Sequence, residues 1–178
     1  MLQDRNIILI GFMGTGKTTI GEQLAKRLSL AFIDTDEKIC SISGLTIPEI
    51  FQQKGEKYFR QLESQVLTDV LAQASQVVST GGGIVIQEVN RQLLNARRQK
   101  GDLVIWLTAS EETLWQRLKL DSNRPLLKAA NPREEIASLL RQREDLYRSV
   151  ADYTISTSER EPAAVVTEII DIYSKGGF

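Results

Sequence analysis

Apolar residues follow two rhythms along this chain. Five short runs are apolar almost throughout: NIILI (6–10), LAFID (30–34), SQVVST (75–80), DLVIWLT (102–108) and DYTIST (152–157). Runs of this length, bounded by polar residues, predict strands. Between and after them lie longer segments of helical period: TTIGEQLAKRL, residues 46–74, QEVNRQLLNARR, SEETLWQRLKL, PREEIASLLRQREDLYRSV and PAAVVTEIIDIYS. Within 63–74, Leu67, Val70, Leu71 and Ala74 recur at intervals of three and four, as one buried helical face requires. Thr46 with Glu49 three residues on matches a capping box, and Pro48 falls in the tolerant first turn, so a helix is predicted to start there. Strand followed by helix, five times over, predicts an α/β fold with a parallel sheet covered on both faces. The segment without clear period is about 120–132, LDSNRPLLKAANP, rich in turn residues and carrying one arginine. It is either a lid or a long surface loop, and loops of that length are often functional.

Composition narrows the classes. A chain of 178 residues, 42% hydrophobic and 25% charged, closes one good core, so residues 1–178 are expected to form a single domain. With a net charge of -1 and no basic block, neither nucleic acid nor an anionic membrane is an expected partner. No apolar stretch approaches the roughly 20 residues that span a bilayer. The single Cys40 allows no internal disulfide, and the residues after Met1 lack the apolar core of a signal peptide, which fits a reducing cytoplasm. Histidine is absent. Any proton transfer therefore falls to a carboxylate, a lysine or water.

Against that background, GFMGTGKTT (11–19) stands out, because it follows an apolar strand and opens an amphipathic helix. Gly11, Gly16, Lys17 and Thr18 complete G-x-x-x-x-G-K-[ST]. Backbone N–H groups of such a loop, here around Gly14, Thr15, Gly16 and Thr19, converge on phosphate oxygens; Lys17 bridges the terminal phosphates and the Thr18 hydroxyl ligates magnesium. In FIDTDEK, Asp34 and Asp36 lie two apart and, on an extended chain, point the same way beyond the carboxyl end of a strand. One suits magnesium through water and the other a hydroxyl's hydrogen bond, or Asp36 merely caps the next helix. The missing histidine favours the chemical role. GEKYFRQLE (55–63) places Arg60 and Glu63 one helical turn apart, a spacing that by itself reads as a surface ion pair. In STGGGIV, Gly81, Gly82 and Gly83 suggest close approach of main chain to a ligand, or else a flexible turn. Arg117, Arg124, Arg143 and Arg160 are scattered over the last third of the chain, where most arginines are simply solvated.

Taken together, GFMGTGKT, DTD, GEKYFRQLE, GGG, RPLL and RQREDLYRSVA, in that order from the first strand to about Pro162, resemble the shikimate kinase family. That family combines a P-loop, D-x-D after the second strand, G-E-x-x-F-R-x-x-E, a triple glycine, R-P-L-L in a lid, and R-x-x-x-Y on the next helix. The resemblance implies the P-loop kinase fold, a three-layer sandwich with a five-stranded parallel sheet in the order 2-3-1-4-5. It also implies an ATP- and magnesium-dependent phosphorylation of the 3-hydroxyl of shikimate, a step of aromatic amino acid biosynthesis, by a monomer. By the same resemblance Asp34 and Thr18 serve magnesium, and Asp36 contacts the acceptor hydroxyls and is the base. Arg60 and Arg143 bind the substrate carboxylate, with Glu63 orienting Arg60. Gly81, Gly82 and Gly83 bring N–H groups to the substrate, and the acceptor region spans about 35–63. Arg124 swings in with the lid, and Arg117, Arg160 and Pro162 frame the adenine. Two rivals remain: a related small-molecule kinase, such as one for gluconate, and a catalytically silent nucleotide-binding module.

Overall fold

Each predicted strand forms, trimmed by one residue at one or both ends of its apolar run. In the computed structural model, which describes residues 5–119 and 131–175, β1 (Ile7–Ile10) leads into α1 (Lys17–Leu28), and β2 (Ala31–Asp34) into α2 (Thr35–Ser43) and α3 (Ile47–Leu71). Then β3 (Gln76–Ser79) precedes α4 (Glu88–Gln99), and β4 (Leu103–Thr108) precedes α5 (Glu111–Leu118) and α6 (Pro132–Arg148). Last come β5 (Tyr153–Ser156) and α7 (Pro162–Lys175). The sheet order is β2-β3-β1-β4-β5, with every pairing parallel.

Burial of both faces explains the near-continuous apolar strands. In β1 all four residues are buried, yet they divide by parity. Ile7 and Leu9 join Ile20, Leu24, Val166 and Ile169 beneath α1 and α7, whereas Ile8 and Ile10 join Leu67, Leu71, Leu94 and Tyr147 beneath α3, α4 and α6. At the amino ends of the strands, buried Asn6 and Asp102 lock neighbouring strands. The Asn6 N–H donates to Asp102 Oδ1 at 2.8 Å, the Gln76 N–H donates to Asn6 Oδ1 at 3.1 Å, and Arg97 pairs with Asp102 at 2.6 Å. The fixed base leaves the opposite, carboxyl ends to carry the loops.

Helix α3 begins with the expected capping box: the Thr46 N–H donates to Glu49 Oε2 at 2.8 Å, while the Glu49 N–H donates back to Thr46 Oγ1 at 3.4 Å. Two features of this region depart from the predicted pattern. Residues 46–74 are not one continuous helix, because Gly55 (φ 81, ψ 169) breaks the helical path and a new first turn starts at Glu56. Helix α2, absent from the periodic segments, starts directly at the end of β2. The lid predicted at about 120–132 lies outside the described residues except for Asn131 and Pro132, and Arg124 lies outside them altogether.

Candidate active site

The sheet order places three loops side by side. β1 is flanked by β3 and β4, so the connections leave it in opposite directions, and ligands bind at such a point beyond the carboxyl ends. Since β3 lies between β1 and β2, the glycine turn after β3 stands between the phosphate loop and the Asp34–Asp36 corner.

The loop after β1 folds on its own groups. Gly11 takes φ +142, and a Cβ there would stand 2.2 Å from the backbone oxygen of Leu107, so glycine is required. Lys17 is buried, and its Nζ donates to the carbonyls of Gly11 at 2.8 Å and Phe12 at 2.9 Å. Thr15 Oγ1 also donates to Phe12 O, at 2.8 Å. Gly16 (φ 89) caps α1, whose first turn carries Thr18 and Thr19, both exposed. The positive end of this 12-residue helix therefore opens on the loop's concavity, the arrangement that binds phosphate.

The two aspartates do not project together from an extended strand. Asp34 ends β2 with extended torsions and is itself the N-cap of α2, its Oδ1 accepting the N–H of Asp36 at 2.9 Å and of Glu37 at 3.4 Å. Asp36 therefore sits in the first helical turn, and the carboxylates diverge. Asp34 Oδ2 accepts from Thr18 Oγ1 at 2.9 Å, with Ser79 Oγ 3.5 Å from the same hydroxyl. Three oxygen donors at the rim of a phosphate loop suit magnesium, which is bound by few protein oxygens together with phosphates and water. Asp36 turns the other way, toward Gly81 and Glu63: a Cβ on Gly81 would lie 2.7 Å from Asp36 Oδ1 and 3.0 Å from Glu63 Oε1.

Glu63 is fully buried in α3, and its Oε2 accepts from Arg60 NH1 at 2.8 Å. Burial pushes the Glu63 carboxyl above its ordinary range; Arg60 opposes that shift and the charge of Asp36 adds to it. Arg60 also reaches Glu56, at 3.3 Å, so the helical break at Gly55 supplies a second carboxylate one turn away. The i,i+4 spacing of Glu56 and Arg60 was visible in GEKYFRQLE, although only Glu63 was assigned.

The triple glycine fits among these groups because it lacks side chains. Gly81 faces the two carboxylates as described, Gly82 would place a Cβ 3.0 Å from Met13 N in the phosphate loop, and Gly83 would place one 2.3 Å from Arg60 NH1. The expectation that all three N–H groups point to substrate needs correction at Gly81, whose N–H donates to the buried Thr35 Oγ1 at 3.1 Å. From α6, Arg143 NH1 donates to Gly82 O at 3.3 Å and lies 5.6 Å from the Phe12 ring, and the Tyr147 hydroxyl donates to the same carbonyl. Arg60, Glu63, Gly81 to Gly83, Asp36 and Arg143 are thus gathered beside the phosphate loop from four separate segments.

The arginines predicted at the adenine also converge. Arg117 NH1 donates to Gly14 O at 2.9 Å and its NH2 to Thr157 O at 2.8 Å, tying the phosphate loop to the end of β5. Arg160 donates to Ser156 O at 3.2 Å and pairs with Glu168 of α7 at 2.7 Å, and Pro162 starts that helix. A cavity of about 480 Å³, lined by Phe12, Thr15, Trp106, Glu144 and Tyr147 among others, lies beside α6. Arg60, Glu63, the glycine turn and Arg143 do not line it, but Phe12 and Tyr147, which touch Arg143 and Gly82, do, so it borders the cluster just described.

A phosphate loop on β1, oxygen donors at β2 and the order 2-3-1-4-5 define a P-loop kinase of the nucleoside monophosphate kinase-like fold. Within that class, a family model for shikimate kinase matches residues 13–174. The shikimate kinase of Methylococcus capsulatus is 43% identical over 177 residues, covering 99% of this chain and 97% of that protein. The solved shikimate kinase from Acinetobacter baumannii in complex with shikimate superposes with a TM-score of 0.91 at 38% identity, covering 98% of this chain and 95% of that one. A gluconokinase from Sinorhizobium meliloti, at 17% identity and a TM-score of 0.57, shares the fold alone. The chain belongs to the shikimate kinase family.

Proposed function

We propose that the protein transfers the γ-phosphoryl group of ATP to the 3-hydroxyl of shikimate, releasing ADP and shikimate 3-phosphate, a step of aromatic amino acid biosynthesis. The observation that carries this reading is the pairing of two sites across the glycine turn. One side is a phosphate loop with Lys17. The other holds two arginines and two carboxylates, the set needed for a carboxylate-bearing polyol.

Gly14 to Thr19 enclose the phosphates, and Lys17 leaves the neutral carbonyls it now holds for negatively charged phosphate oxygens, a stronger partner. Thr18 and Asp34 hold magnesium, which when bound screens the charge that builds on the phosphates. Arg117, Arg160 and Pro162 border the adenine. Arg60 and Arg143 take the acceptor's carboxylate through paired N–H donors. Glu63 fixes Arg60, and Asp36 orients the attacking hydroxyl and receives its proton as the O–P bond forms. Because the transition state is loose, alignment and neutralisation by Lys17 and Arg124 carry most of the rate, with Asp36 acting late. The chain acts as one domain, a cytoplasmic monomer, with an acceptor region at about 35–63 and a lid at about 120–132. That lid excludes water from the γ-phosphate. Among the described residues no helix is long and apolar enough to cross a membrane.

The test is coupled ADP release with magnesium ATP, comparing shikimate, gluconate, a nucleoside monophosphate and no acceptor. Stimulation by shikimate alone is expected. Stimulation by gluconate instead, or by no acceptor, would remove the shikimate reading while leaving the nucleotide site.

A further inference from the structure

Tyr147 has a place in this site but no task in the reaction outlined above. It is almost fully buried, and its ring stacks on Trp106, with centroids 5.6 Å apart and planes 20° apart. Burial pushes its phenol up to about 12, against the pull of Arg143, which hydrogen-bonds the phenol oxygen. It therefore remains a donor at any physiological pH. What it donates to is Gly82 O, the carbonyl that Arg143 also reaches.

The Arg143 bond to Gly82, at 3.3 Å, is long for an N–H donor on a carbonyl, which ordinarily runs at about 2.9–3.0 Å. Gly82 passes the phosphate loop closely enough that a Cβ on it would lie 3.0 Å from Met13 N. The guanidinium therefore touches two groups that are themselves joined, the Gly82 carbonyl and the phenol oxygen that donates to it.

We propose that Tyr147 is a positioning residue for Arg143: its hydroxyl, bonded to the Gly82 carbonyl and to the guanidinium, holds Arg143 where it meets the acceptor's carboxylate. The proposal rests on the acid-binding reading of Arg143. It assigns the tyrosine to acceptor affinity rather than to the chemical step.

The test is Tyr147→Phe, which keeps the ring and its stack on Trp106 and removes only the hydroxyl. The KM for shikimate is expected to rise about fivefold to tenfold, while kcat and the KM for magnesium ATP stay within about twofold. An unchanged KM for shikimate, or an equal rise for both substrates with a lowered Tm, overturns it. In an Arg143→Ala background, Tyr147→Phe is expected to add no further rise, and an additive rise overturns the proposal. A third readout needs no acceptor. In the ligand-free protein, nitrogen-detected NMR of the arginine side chain should show faster guanidinium proton exchange for Arg143 in Tyr147→Phe, as the guanidinium loses the phenol oxygen; unchanged exchange overturns the proposal. If the wild-type protein ignores shikimate, the acceptor assignment fails, and this last measurement still decides the role of Tyr147.

Discussion

Two glycine turns meet over the same space, one after β1 at residues 11–16 and one after β3 at residues 81–83, and they need glycine for opposite reasons. Gly11 is fixed by backbone: its φ is +142, and the obstacle to a Cβ is the main-chain oxygen of Leu107 at 2.2 Å. Gly83 has no left-handed torsion, and the obstacle there is the movable end of a side chain, Arg60 NH1 at 2.3 Å. The first turn closes on itself, with Lys17 held by carbonyls of its own loop. The second is shaped by what α2, α3 and α6 push against it. The nucleotide half is therefore local architecture and the acceptor half is tertiary assembly, so substitutions in the two should fail differently.

The largest effect separates chemistry from binding. Asp36→Asn keeps the shape of the residue that Gly81 accommodates and removes the proton acceptor. Turnover is expected to fall about a thousandfold, with ATP affinity retained by titration calorimetry. Near-normal turnover would remove Asp36 as the base and leave alignment as the whole contribution of the acceptor half.

Next comes Gly11→Ala, which forces a left-handed torsion and a collision with fixed backbone. A loss of about 3 kcal/mol, or about 6–12 °C in Tm, is expected together with loss of ATP binding. A variant as stable as the wild type would show that the phosphate loop is less rigid than its contact with Leu107 implies.

That contrast also governs how much could be read from the sequence. The phosphate loop is contiguous, and its torsional demands fall on glycines, so Gly11 to Thr18 were legible without help. Strands buried on both faces and the Thr46–Glu49 cap are local patterns too. The Asp34–Asp36 corner was read as extended because an N-cap aspartate and a paired D-x-D look alike in sequence; only the hydrogen bond from the Asp36 N–H to Asp34 decides. Gly55 gave no sign of breaking its helix, since glycine is tolerated inside helices at modest cost. The approach of Arg60, Gly83 and Arg143 joins segments 23 and 60 residues apart, and periodicity carries nothing over such distances; there the family resemblance supplied the grouping. Thr35 and Tyr147, which hold the glycine turn from either side, were assigned no role at all.

Gly83→Ala is the acceptor-side counterpart of Gly11→Ala and should behave unlike it. The new methyl displaces the tip of Arg60, a flexible group, so the Tm is expected to stay within about 2 °C while the KM for shikimate rises about tenfold. Equal losses of stability in both glycine variants would erase the distinction between backbone-fixed and side-chain-fixed turns.

The smallest effect concerns what the acceptor half costs the fold. Glu63 is buried, and its carboxyl is raised above the ordinary value of 4.5 chiefly by desolvation, with Arg60 and Arg143 opposing and Asp36 reinforcing the shift. A carboxyl raised in the folded state favours folding below its unfolded value and loses that contribution as pH climbs through the folded value. Glu63→Gln removes the titration but keeps an acceptor for Arg60. The stability of the wild type relative to Glu63→Gln is therefore expected to decline as pH rises above the ordinary carboxyl value of 4.5, read as the difference in urea midpoints. If that difference is flat, Arg60 cancels the burial penalty completely, and the charged cluster that receives the acceptor is as self-sufficient as the phosphate loop.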